Sequence, residues 1–249
     1  MMDFNLRVIP NVSANFLFRE ALARYEFVLR HLPKECKILD LACGTGYGSA
    51  LLSRHAQVFG IDIDSQAIEY ANNNYPDTAK FSVADVLHPP FSPHSFDAIC
   101  ALEIIEHLSS AKIFLNSVSR LLKSNGLFIL STPASFSANP YHLHEYTLRQ
   151  FNQLLKQHFR RVKIYGQYRS PAAVKAYSDF LHSQTARQKY VEIDKFSFRR
   201  LLPKSLKEYL WRYLGSFYGR KTQESLTTAD FPILPKVSHC HYFVAICQK

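Results

Sequence analysis

Residues 38–49 read Ile-Leu-Asp-Leu-Ala-Cys-Gly-Thr-Gly-Tyr-Gly-Ser, and this stretch decides the fold. An apolar run with strand character, Ile38-Leu39-Asp40-Leu41, meets three alternate glycines, Gly44, Gly46 and Gly48. A helical pattern follows at Ser49-Ala50-Leu51-Leu52. Strand, tight turn and helix start are therefore contiguous. Glycine permits positive φ and lets a ligand come close to the backbone, and the helix start behind it offers unpaired N–H groups. The spacing G-x-G-x-G departs from the dinucleotide spacing G-x-G-x-x-G and from the Walker pattern G-x-x-x-x-G-K-[ST].

Outward from this unit, strand-like and helix-like patterns alternate. Strands are expected at 36–42, 57–63, 79–84, 96–102, 126–132, 160–166 and 241–247. Helices are expected at 14–32, 46–54, 65–74, 109–123 and 147–158. Such alternation predicts an α/β fold, with a parallel sheet covered by helices on both faces. Residues 168–235 differ. They are rich in Arg, Lys, Tyr and Phe, and read in part as basic amphipathic helix, as in Phe198–Leu202 and Leu206–Leu214. Three segments result: an N-terminal helical cap over 1–35, a core over 36–167 and 236–249, and a basic helical insertion or lid over 168–235.

The chain has 249 residues, the length of one domain, or of one domain with an elaboration. Its hydrophobic content of 47% can fill a core. No apolar run reaches the ~18 residues of a spanning helix, and Met1–Pro10 lacks the apolar centre of a signal peptide. The five cysteines are scattered, with no CxxC pair. That argues against a disulfide framework or zinc site and points to a reducing cytoplasm. A net charge of +10 suits nucleic acid, an anionic membrane or an anionic substrate.

Ligands of open α/β sheets bind at the carboxyl ends of the strands, and acids collect there. Asp40 lies in the first strand, Asp62 and Asp64 end the second, Asp85 follows the third and Glu103 the fourth. Singly, such an Asp is most simply a helix cap, a role open to Asp64 and Ser65. In series, the motifs DLACGTG, GIDID, FSVAD and FDAICALE resemble those of class I S-adenosylmethionine-dependent methyltransferases. The resemblance covers about 36–166 and the final strand. It implies a Rossmann-like, seven-stranded, mostly parallel sheet with the last strand reversed, a helical insertion before that strand, and S-adenosylmethionine as cofactor. It also implies site roles. Asp40 would organise the loop. Gly44 and Gly46 would border the methionine part, with Glu103 nearby, and Ala42 would also belong to the cofactor site. Asp62 would hold the ribose hydroxyls, with Ile63 against the adenine. Asp85 would take the adenine amine, and Val86 would offer its N–H to the ring. Arg24 and Tyr25 of the first helix have a family position that would close over the cofactor.

On the acceptor side, Glu103-Ile104-Ile105-Glu106-His107 follows the fourth strand, and Pro140-Tyr141-His142-Leu143-His144-Glu145-Tyr146-Thr147 follows the fifth. A hydroxyl acceptor must lose a proton to a base or through a metal. The form E-x-x-E-H resembles metal-assisted O-methyltransferases of quinone biosynthesis and of small-RNA 2′-hydroxyls. That resemblance implies a divalent ion held by Glu103, Glu106, His107 and His142. Carboxylates with imidazoles suit Mn²⁺, Fe²⁺, Co²⁺ or Zn²⁺ better than Mg²⁺. The alternative is metal-free, with Glu103, His107 and His142 as catalytic residues and His107 as base. His144 is expected at the surface, and Thr147 as a helix cap.

The overall pattern resembles bacterial methyltransferases of sugar, polysaccharide or glycolipid assembly, which implies O-methylation of a small-molecule, sugar or lipid-linked hydroxyl. The alternatives are a metal-dependent RNA 2′-O-methyltransferase and a quinone-type or other lipid O-methyltransferase. The insertion reads first as a lid. Residues 196–220 also read as a helix lying on a membrane surface, which would make the protein peripheral to the inner face of the membrane. An RNA surface comes third.

Overall fold

The structure, a computed structural model, describes residues 8, 10, 15–134, 141–193 and 225–249, and the side chains of all of these except 183–193. The basic stretches 198–202 and 206–214, and the expected membrane face over 196–220, lie outside the described residues.

Eight strands form one sheet among the described residues: β1 (Cys36–Leu41), β2 (Ala56–Asp62), β3 (Lys80–Val83), β4 (Phe96–Leu102), β5 (Leu122–Pro133), β6 (Arg161–Gln167), β7 (Ile233–Leu234) and β8 (Tyr242–Gln248). Their order is β3-β2-β1-β4-β5-β8-β6-β7. The first five are parallel to one another, and β8 runs antiparallel between β5 and β6. The sheet is thus mostly parallel, with the reversed strand the resemblance implied. It has one strand more than the seven expected. The extra strand, β7, is two residues pairing with Gly166 and Gln167 at the edge, too short to carry an alternating pattern.

The helices are α1 (Asn15–His31), α2 (Tyr47–Leu52), α3 (Ser65–Asn74), α4 (Ala111–Leu121), α5 (Leu148–Lys156) and α6 (Pro171–Ile193). Alternate strand residues divide between two cores, as a pleat requires. Leu39, Ile99 and Phe128 pack beneath Phe114, Val118, Phe151 and Leu155 of α4 and α5. Ile38, Ala98 and Ile129 pack beneath Phe27 and Val28 of α1 and Leu52 of α2. In β4, Phe96 joins the face of Ile99, three residues on, because the register with β5 shifts between Phe96 and Ala98. Such an irregularity inverts the parity of the strand before it.

Helix starts follow local chemistry. Asp64 caps α3 by accepting from Gln66 N at 2.8 Å, and Thr147 with Gln150 forms a capping box on α5. α6 does not stand apart from the core. Its Ala173 and Ala176 pack with Phe16 and Ala23 of α1, together with Leu226 and Phe231. No helix among the described residues is long and apolar enough to cross a membrane. The five cysteines are all buried, and none is in a disulfide among the described residues.

The strand order reverses between β1 and β4, so a crevice opens at their carboxyl ends.

Candidate active site

The turn after β1 shapes that crevice. Ala42, Gly44 and Gly46 have φ of 60°, 55° and 81°, three left-handed residues in five. A side chain at Gly46 would also collide with its surroundings, since its Cβ would stand 2.7 Å from Ala71 Cβ and 2.9 Å from the Phe81 ring. At Gly48 a Cβ would lie 2.0 Å from the Tyr25 ring. The third glycine therefore lets α1 close onto α2.

The loop is tied down from below and beside. Asp40, wholly buried, accepts from Ser49 Oγ at 2.6 Å, Tyr25 Oη at 3.2 Å and Cys100 Sγ at 3.3 Å. Burial pushes its carboxyl up to about 6. Asp62 accepts from Gly44 N at 2.9 Å and Asp64 N at 3.0 Å, joining the ends of β1 and β2.

Above the loop lies a cavity of about 780 Å³, within the range of ligand sites. Ala42, Gly44, Asp62, Ile63, Asp85, Val86, Glu103 and His107 all line it. Two residues assigned to the cofactor do not. Asp40 lies under the floor, and Gly46 faces α3 and β3, so both shape the loop rather than the lining. Ile63 is 72% exposed, unusual for isoleucine, and forms an apolar shelf beside the Asp62 carboxylate. Asp85 accepts from Leu87 N at 2.9 Å, which fixes its turn beside Val86.

We expect Asp62→Ala to weaken S-adenosylhomocysteine binding by ~1.5–3 kcal/mol, the scale of hydrogen bonds to a charged group. It should also lower the melting temperature, because the Gly44 and Asp64 amides lose their acceptor. Calorimetry showing unchanged affinity would reject the ribose role.

Glu103 holds a left-handed conformation with φ 57°. Its Oε1 accepts from Ser131 Oγ at 2.6 Å, and its own N–H donates back to that oxygen at 3.1 Å. Burial pushes its carboxyl up, opposed chiefly by the charge of Arg24. Backbone strain of this kind persists only where surrounding contacts impose it, and here it turns the carboxyl toward β5.

Glu103 is therefore absent from the group that could hold a metal. That group is Glu106, His107 and His142, with one ligating atom from each, all within 4.8 Å of one another. Glu106 accepts from Thr132 Oγ1 at 3.1 Å, and its Oε1 lies 3.9 Å from His107 Nε2. The two imidazoles meet edge to face at 4.9 Å. Burial and Glu103 push Glu106 up to about 8, while burial and His107 lower His142. Ligands each ~2.1 Å from an ion stand at most about 4.2 Å apart, so the cluster would contract slightly around one. The donor set, one buried carboxylate and two imidazoles, fits a divalent transition metal. His144 is exposed, as expected.

His107 links both sides of the site. Its Nδ1 donates to Tyr141 O at 2.9 Å, and Glu106 O accepts from Leu143 N and His144 N at 2.9 and 3.1 Å. The acceptor-side loop is thereby pinned to the turn after β4.

α1 brings Arg24 and Tyr25, whose family position suggests such a place, to the cavity together with Ala21, which no sequence motif singles out. Their spacing, with Val28, is one buried helical face, so an Arg on an otherwise apolar stripe was the available signal. Arg24 is the one permanent cation among the described lining residues. Its Nε is buried without a partner, an arrangement that costs on the order of 1–3 kcal/mol or more. Such a group points to an anionic ligand.

Comparison with known proteins agrees with this geometry. A methyltransferase-domain family model matches residues 39–130. A probable S-adenosylmethionine-dependent methyltransferase of Mycobacterium tuberculosis is 30% identical over 162 residues, covering 60% of this chain and 57% of the relative. The chain thus spans less than two thirds of that protein's length. The ubiquinone biosynthesis O-methyltransferase of Pelagibacter ubique is 34% identical over 106 residues, 40% of this chain and 42% of the relative. The same fold occurs in a Thermotoga maritima methyltransferase structure described as a possible histamine N-methyltransferase. It has a TM-score of 0.61 at 13% identity and covers 94% and 92% of the two chains. Motif order and the reversed strand agree with these matches, so the chain has the fold of class I S-adenosylmethionine-dependent methyltransferases and is similar to that family in sequence over residues 39–130.

Proposed function

We propose that this chain transfers the methyl group of S-adenosylmethionine to a hydroxyl of a small-molecule, sugar or lipid-linked acceptor. The observation that carries the reading is His107. It lines the cavity, and donation from Nδ1 to the Tyr141 carbonyl assigns the lone pair of the neutral ring to Nε2. A ring so held is a general base. When bound, the cofactor supplies an electrophilic methyl on a sulfonium. Asp62, Ile63, Asp85 and Val86 would hold its nucleoside end. Arg24 and Glu103, opposite in charge, suit the carboxylate and ammonium of its amino-acid end. His107 would take the acceptor's proton while this alignment brings oxygen and methyl into line.

Two features support an acceptor with an apolar part. Tyr141 and Leu143, which line the cavity, are 53% and 60% exposed. They share a loop pinned to His107. The name of the Pelagibacter relative also favours an oxygen acceptor. A lipid-linked acceptor would give the basic stretch 196–220 a use at a membrane surface.

The group of Glu106, His107 and His142 favours a second reading, metal-assisted transfer, including transfer to an RNA 2′-hydroxyl. In it, these residues would hold a divalent ion, which would supply a Lewis acid able to lower the acceptor hydroxyl's pKa.

One experiment separates the two. S-adenosylhomocysteine release is followed on short RNAs and on glycan and lipid extracts, with and without chelator, for the wild type and Glu106→Gln. Under the first reading we expect turnover on a glycan or lipid fraction that ignores chelator, with Glu106→Gln reducing it less than ~10-fold. Loss of turnover on chelation and in Glu106→Gln, restored for the wild type by Mn²⁺, selects the metal. No release on any fraction rejects both.

A further inference from the structure

Arg24 has an unusual support. Its guanidinium carbon stands 4.5 Å from the centre of the Tyr242 ring, and Nη1 donates to Gln167 Oε1 at 2.7 Å. Among the described residues no carboxylate makes an ion pair with it. The nearest candidate on its own helix is Glu20, one turn earlier. Glu20 is taken by Arg169, which donates through Nε and Nη2 at 2.6 and 3.0 Å, and by Tyr242 Oη at 3.2 Å. Gln167, wholly buried at the end of β6, is fixed from its other side, where Nε2 donates to the Glu20 carbonyl at 2.9 Å.

The charges therefore divide. Glu20 pairs directly with Arg169, whereas Arg24, which feels the charge of Glu103 and more weakly that of Glu20 without an ion pair to either, keeps an unpartnered Nε. Gln167 is the one hydrogen-bond partner of the Arg24 side chain among the described residues, and it is neutral. A glutamate in its place would hold the guanidinium as firmly but cancel its charge toward a ligand.

We propose that Gln167 is a positioning residue. It holds Arg24 at the cavity without neutralising it, so that Arg24 can take the carboxylate at the amino-acid end of the cofactor. The inference rests on the cofactor reading above. It gives the Glu20–Arg169 pair a purpose too, because that pair keeps the glutamate away from Arg24 and sets the main-chain carbonyl that orients Gln167.

The test compares two ligands by calorimetry. S-adenosylhomocysteine carries the carboxylate, whereas 5′-methylthioadenosine shares the nucleoside and thioether but lacks the amino acid. The wild type should prefer the first. Gln167→Met, of similar volume, should lower affinity for S-adenosylhomocysteine by ~10-fold or more and leave 5′-methylthioadenosine unchanged. Arg24→Met should show the same reduced preference. Gln167→Glu, which keeps an acceptor and serves if the methionine variant does not fold, should also lose preference, through neutralisation. Equal loss for both ligands in these variants would mean a merely structural role and overturn the proposal. So would an unaltered preference. A wild type that binds both ligands equally rejects the role of Arg24 while sparing the cofactor reading. A wild type that binds neither overturns that reading and this one together.

Discussion

His107→Ala is expected to lower turnover by ~10²–10⁴-fold, the contribution of a general base, while S-adenosylhomocysteine affinity changes about twofold at most. The asymmetry follows from position. The ring's tie to Tyr141 O and its proximity to Glu106 place it beside the acceptor-side loop. With 31% of its side chain exposed, its removal should cost little stability. Single-turnover rates with saturating cofactor, beside calorimetry, read the two effects separately. Equal loss of rate and affinity would move His107 into the cofactor shell. Retained turnover would remove it as base.

Gly46→Val should instead destabilise the fold, by about 3 kcal/mol or more. A β-branched side chain at φ 81° is a conformational outlier, and overpacking alone costs ~1–3 kcal/mol. The new methyls would enter the space held by Ala71 and Phe81, so α3 or β3 must move. For a domain of this size the melting temperature should fall by ~6–12 °C. Gly44, which lines the cavity, provides the contrast. Gly44→Val should block cofactor binding more than it unfolds the protein. Thermal melts with and without S-adenosylhomocysteine distinguish them. If both variants lose only binding, the packing role of Gly46 is wrong.

Much of this was readable in one dimension because the physics was local. The end of α3, the cap at Thr147, the strand at 96–102 and, one residue out, the last strand expected at 241–247 and found at Tyr242–Gln248 follow from side-chain pattern and short-range hydrogen bonds. The acids at strand ends were readable for the same reason. A parallel sheet puts the carboxyl ends of neighbouring strands on one edge, so Asp62, Asp85 and Glu103 had to converge.

Orientation was not readable. The four residues Glu103, Glu106, His107 and His142 look equivalent as candidate ligands, but the turn after Leu102 divides them. Left-handed backbone at Glu103 sends its carboxyl to Ser131, and the next turn carries Glu106 and His107 to His142. Likewise the motif glycines have three separate tasks, and only Gly44 faces the cavity.

The amino-acid sequence by itself determined the order of elements, the glycine loop and the acid series, since each depends on neighbours within a few residues. The tertiary structure alone decided which charges pair directly and which do not. Arg24, Gln167, Glu20 and Arg169 are up to 149 residues apart, and their pairing depends on distance and burial in space, where the low dielectric makes each unpaired hydrogen bond matter.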